Sequence, residues 1–236
     1  MSETVAANKQ AVVDFHDGLR NGEVDRVAGT FAAEFIEHTG NGAVQRTAKD
    51  FAVASRAMIA LGPTTRSQHE VFGELDRVAW ISSWTRGGRD FSVVVVYRFR
   101  DGKIVERWPG ATAPVRWEWE PTVVAGDTEA TREVHRRWYD EMYATGKYLE
   151  LAPQLCGPLF VRHEPTGTFS ATAAEHATRL SAIGSGMSFP YEVVAEGNMV
   201  AVIGGSKRFG AFTQAWRVAD GRLVESWWAG QLTPAS

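Results

Sequence analysis

The sequence predicts an α+β protein written twice in tandem, each half placing its helices ahead of an antiparallel sheet. Three observations carry this. The eleven residues DGKIVERWPGA at 101–111 return as DGRLVESWWAG at 220–230. Three more blocks repeat in the same order: FHDGLRNG at 15–22 over YDEMYATG at 139–146, EFIEHTGNG at 34–42 over LFVRHEPTG at 159–167, and HEVFGELDRVAW at 69–80 over YEVVAEGNMVAV at 191–202. Within each half, helical periodicity comes first and strand alternation second. The repeat period is too long for a solenoid or propeller blade, whose units run about 20–50 residues. A chain of 236 residues instead suits two domains. They are expected at 1–113 and 128–236. The join at 114–127 contains Pro114, Pro121 and Gly126, which break helix and ladder patterns, while Trp117 and Trp119 predict a linker that packs.

The elements follow in order. Val12, Phe15 and Leu19 mark a first helix, and Val134, Trp138 and Met142 its partner, with Thr128 as N-cap and Gly22 and Gly146 as stops. A second short helix carries Val27 and Phe31, and a short strand runs through Phe35 to His38. A third helix covers about 47–60, its counterpart about 171–183. Strands are expected at 69–74, 78–85, 91–100 and 103–109. The Asp-Gly pairs at 101 and 220 suit tight hairpins, because Gly tolerates positive φ and Asp bonds its local backbone.

Composition narrows the function classes. A net charge of -3, with no run of Lys and Arg, argues against nucleic acid and against an anionic membrane surface. FSVVVVYRF, the longest apolar stretch, fits a strand and is too short to span a bilayer as a helix. A lone Cys156 forms no intrachain disulfide, and the first ten residues lack the pattern of a signal peptide, so the expected setting is cytoplasmic. No metal site is expected: HEVFG lacks the second His of a zinc helix. GGRDF and IGSGM lack phosphate-loop spacing, and no Ser stands in a Gly-x-Ser-x-Gly elbow.

The aromatic-Asx-Gly helix, FAAEFIEHTG, the strand entry GELDRVAW and above all RFRDGKIVERW resemble the nuclear-transport-factor-2-like fold, in its SnoaL-like polyketide cyclase branch. The resemblance implies a curved sheet wrapped round helices into a cone with an apolar interior. It also implies that the tandem chain is an intrachain pseudo-dimer, leaving open whether the chain is otherwise monomeric. The expected partner is a small apolar substrate, with no cofactor. In SnoaL-like cyclases a terminal Asp on the last strand and a His on the preceding strand move the proton. Those positions fall here on Pro109 and Val95 in the first half and on Trp228 and Gln214 in the second, none of them a matching acid or base. Chemistry other than aldol closure is therefore expected.

His38 and His163 are the only histidines placed alike in both halves, at what should be the rim of each cone. With Glu37 and Glu164 beside them they are the candidate acid/base pairs; the alternative is a histidine that bonds a loop. Strand alternation makes Tyr97, Arg107, Gln214, Trp216 and Trp228 candidate substrate contacts, joined by His69, its counterpart Tyr191, and Trp80 and Trp84. Glu106 and Glu225 are expected to be surface or structural carboxylates. The function that follows is cofactor-independent acid/base catalysis on a polyketide-like or terpenoid-like intermediate: cyclisation, isomerisation, dehydration or epoxide opening. The alternative is a non-catalytic binding or scaffold protein of the same fold.

Overall fold

A computed structural model describes residues 3–39, 42–110, 112–183, 191–206 and 210–229. In the first unit, helices α1 (Glu3–Arg20) and α2 (Val24–Ala28) precede strands β1 (Phe31–Thr39) and β2 (Gly42–Thr47). Helix α3 (Ala48–Ile59) leads into β3 (Thr64–Glu74), β4 (Arg77–Arg86), β5 (Arg89–Arg100) and β6 (Lys103–Pro109). The second unit repeats the plan with α4 (Thr128–Arg136), a π-helical continuation (Arg137–Tyr143), α5 (Tyr148–Leu155), β7 (Cys156–Glu164), β8 (Gly167–Thr172) and α6 (Ala173–Ile183). It ends in β9 (Tyr191–Glu196), β10 (Met199–Ser206), β11 (Gly210–Ala219) and β12 (Arg222–Trp228). Each unit is one curved, open six-stranded sheet, ordered β2-β1-β6-β5-β4-β3 and β8-β7-β12-β11-β10-β9. The two units are strand-for-strand equivalents.

Several sequence expectations meet tertiary constraints. The sheets are not wholly antiparallel, since β1 runs parallel to β6 and β7 parallel to β12. Phe31 opens β1 rather than closing a helix, because its ring packs between Phe15, Phe35 and Phe51 in the core. Asp127, not Thr128, caps α4, its carboxylate accepting the backbone N–H groups of Glu129 and Ala130. The hairpin strands β2 and β8 are additions to the predicted set: neither carries a buried residue, so neither shows a core-facing alternation. Asp101 and Asp220 take positive φ ahead of Gly102 and Gly221, as their tight turns require.

The third helix of each unit begins at the same device. Thr47 and Asp50 form a reciprocal capping box, and Thr172 and Glu175 make the equivalent bonds. Thr172→Ala is expected to lower stability by about 1 kcal/mol in urea unfolding, since one helix-end N–H loses its acceptor.

The sheets pack back to back. Ile81, Val94 and Val96 of the first unit meet Met199, Ala201 and Ala215 of the second, with Trp108, Trp117, Trp119 and Trp227 filling the layer. The linker is part of this core. Ser92 holds it by exchanging backbone bonds with Ala113, donating from its hydroxyl to the Val115 carbonyl and accepting from the Trp117 N–H. Trp117 is fully buried, and its indole N–H donates to the carbonyl of Glu164 across the join.

Candidate functional site

Because side chains alternate across a strand, Trp80, Ser82 and Trp84 of β4, Val93, Val95 and Tyr97 of β5, and Arg107 and Pro109 of β6 share the concave face of the first sheet. Helices α1 and α3 close over that face with Phe15, His16, Leu19 and Phe51. The result is a cavity of about 260 Å³. Its walls are mostly apolar, and none of the residues lining it is acidic.

Three polar side chains meet inside. His16 Nε2 lies 3.0 Å from the Tyr97 hydroxyl. The rings of His16 and His69 both stack on the Trp80 indole, at 4.2 and 4.3 Å between centroids. Burial, then the charges of Arg107, His69 and Arg20, hold the His16 imidazole well below its usual range. Burial and Arg20 lower His69 as well, with Asp17 opposing. Burial pushes the Tyr97 phenol up. At neutral pH the cavity therefore presents two uncharged imidazoles and a phenol that keeps its proton. The Arg107 guanidinium sits 5.5 Å from the Phe51 ring, with Glu37 the nearest carboxylate at 3.8 Å.

His38 and His163 stand elsewhere. Neighbouring strand residues face opposite ways, so Glu37 turns toward Arg107 while His38 turns to the convex face. There His38 Nε2 meets Glu106 at 2.5 Å and the ring stacks on Trp108 at 4.7 Å. His163 repeats the arrangement, bonding Glu225 at 2.9 Å and Thr168 at 2.8 Å and stacking on Trp227. Glu164 is tied to Arg162 and Arg179 and faces neither histidine. Glu106 and Glu225 thus do the orienting that adjacency assigned to Glu37 and Glu164. Both are buried, each also pairs with an arginine, Arg98 or Arg217, and they are structural carboxylates.

Of the proposed substrate contacts, His69, Trp80, Trp84, Tyr97 and Arg107 all line the first cavity. In the second unit Trp216 is a core residue packed on His135 and Tyr139. Gln214 pairs with Trp228 across β11 and β12 on the corresponding face, and Tyr191 opens β9 with its side chain outside the described residues. Among the described residues, Trp138, Tyr139, Met142, Phe212 and Trp216 are buried side chains of that unit's core. The π-helical turn, marked by the Ala144 N–H bonding to the Tyr139 carbonyl, brings the consecutive rings of Trp138 and Tyr139 inward. Phe212 stands where the first unit has Val93, a residue that lines the first cavity.

His16 is the polar group that sequence inspection passed over. It follows Phe15 and falls four residues after Val12, at the edge of the apolar stripe of α1, which is the signal that could have found it. Its counterpart in the repeat is Asp140, so comparison of the halves drew no attention to it.

A helix-lined, curved-sheet cone with a mostly apolar cavity defines a nuclear-transport-factor-2-like fold. Residues 12–107 match the family model of the SnoaL-like domain. The first unit is a SnoaL-like domain, and the second unit has the same architecture. No curated protein matches the chain. Among solved structures, a de novo designed protein with a curved β-sheet is similar at 15% identity and a TM-score of 0.40, covering 46% of this chain and 86% of its own. An NTF-2-like protein of unknown function from Burkholderia xenovorans is similar at 14% identity and a TM-score of 0.40, covering 49% and 88%. Another, from Cytophaga hutchinsonii, is similar at 13% identity and a TM-score of 0.36, covering 43% and 87%. Among the described residues, no helix is long and apolar enough to cross a membrane, and no cluster of three or more His, Cys, Asp or Glu could hold a metal ion.

Proposed function

We propose that the first cone is an acid/base enzyme site for a small, largely apolar, polyketide-like or terpenoid-like substrate, and that the second cone supports it as the other half of an intrachain pseudo-dimer. The observation that carries this is the buried His16–Tyr97 pair, 3.0 Å apart, opening with His69 onto an apolar cavity. The His69 imidazole makes no hydrogen bond with the described residues and is the proton acceptor. The Tyr97 hydroxyl, backed by His16, donates to the oxygen on which negative charge develops, and Arg107 adds a cation nearby. Trp84 holds the flat body of the substrate beside the two imidazoles, which Trp80 fixes by stacking. Isomerisation of an unsaturated ketone and β-elimination of water both begin with such a proton abstraction beside a carbonyl.

Hydrogen–deuterium exchange at the α-carbon of 2-tetralone, followed by NMR, tests the assignment without the natural substrate. The protein is expected to accelerate exchange over buffer. His69→Asn and Tyr97→Phe should each reduce that acceleration by about 10²–10⁴-fold, while His38→Gln leaves it intact and lowers only stability. The base works when neutral, so the rate should be full at pH 7 and fall as pH drops through the lowered His69 value, giving an acid limb below about 6.5. Exchange no faster than in buffer, or unchanged by both cavity substitutions, would remove the catalytic reading and leave the non-catalytic binding role.

A further inference from the structure

Taking the first cavity as a ligand site, we infer that its ligand carries an anionic group, bound at the cavity mouth by Arg86. Arg86 ends β4, is 4% exposed and lines the cavity. Its Nε and Nη2 donate to the Thr64 hydroxyl at 3.1 and 2.8 Å, and Nη2 donates also to the Leu19 carbonyl at 3.2 Å. Nη1 makes no hydrogen bond with the described residues, and no carboxylate among them pairs with this guanidinium. The carbonyl end of α1 offsets only part of the buried charge.

The surroundings reinforce the assignment. Arg20, Thr64 and Ser67 are shared between the cavity and a polar vestibule of about 360 Å³, which adds Asp17, Asn21, Thr65 and Arg66. The single carboxylate there, Asp17, is already paired with Arg20. Arg66 is exposed and forms no ion pair among the described residues. A carboxylate or phosphate where cavity and vestibule join, at Thr64 and Ser67, would have the open Nη1 of Arg86 on the cavity side and Arg66 on the vestibule side, while the apolar body it is attached to occupies the cone. The substrate class is thus an amphipathic organic anion, narrower than an apolar molecule.

Calorimetric titration of the full chain at low ionic strength, with naphthalene-2-carboxylate and the neutral naphthalene-2-carboxamide, separates the charge from the apolar body. The wild-type chain is expected to bind the carboxylate about tenfold more tightly than the amide. Arg86→Gln should bring the ratio near one, and Arg86→Lys should keep most of the preference. Should Arg86→Gln not fold, Arg66→Gln, an exposed change, is expected to reduce the preference by about two- to threefold. Titration with 2-naphthyl phosphate ranks the two anion chemistries, either ranking being consistent with the site. Equal binding of carboxylate and amide by the wild-type chain, or a preference untouched in the folded arginine variants, overturns the anion site and leaves the cavity reading standing. If neither naphthalene binds, the ligand-site reading falls with it.

Discussion

Arg217→Met is expected to lower stability by about 3–5 kcal/mol, the usual cost of removing one partner from a buried ionic cluster. The Arg217 guanidinium joins the two sheets. It pairs with Glu70 of the first unit at 2.5 Å and with Glu225 of the second, and lies 5.0 Å from the Trp227 ring. Arg217, Glu70 and Glu225 are all buried. Without the cation, two carboxylates face each other in the core. Burial already raises the Glu70 carboxyl, and the Arg217 charge is the largest influence opposing that rise. In the variant Glu70 should rise further above its unfolded value. The penalty then grows as pH increases past the carboxylate range and shrinks as Glu70 protonates. Urea midpoints of variant and wild type compared at pH 8 and pH 5 check this. An equal loss at both would show that the cluster acts through packing rather than charge.

Acid is expected to destabilise the second unit before its carboxylates titrate. His135 and His176 are buried among rings, His135 against Tyr139 and Trp216 and His176 against Trp138 and Phe160. Burial, with Arg132 near the first and Arg162 near the second, lowers each imidazole to about 3. Both values lie below the unfolded value of about 6.5, so the unfolded chain binds more protons between those limits. The stabilisation is therefore complete above about pH 6.5 and is lost as pH falls toward 3. At about pH 4.5 each histidine should cost roughly 2–3 kcal/mol. Circular dichroism and urea midpoints across this range would show the loss. A His135→Leu, His176→Leu double variant should flatten it, and an unchanged acid limb in that variant would place the sensitivity elsewhere.

Strand alternation groups residues whose environment is set by neighbours one strand away. His69, Trp80, Trp84, Tyr97 and Arg107 share a face because alternation and hairpin register are local rules, and they line one cavity. His38 and His163 show the limit. Their symmetry in the repeat was legible, but it marks the face on which the two sheets meet, where each histidine bonds a glutamate 68 or 62 residues away in sequence. A duplicated motif reports what both halves have in common. Here that includes the interface, whereas the polar pair of the first cavity lies in what differs: His16 against Asp140 and Tyr97 against Trp216.

The amino-acid order alone determined the duplication, the α+β plan, the Asp-Gly hairpins and the packed tryptophan linker, because each is a matter of periodicity or of backbone preference within a few residues. Only the folded molecule decided which histidines face into the first cavity. That choice rests on side-chain volumes and on the rotation of helix against sheet, which bring His16 of α1, His69 of β3 and Tyr97 of β5 to one cavity. Such volumes and rotations come together only once helix and sheet are packed against each other.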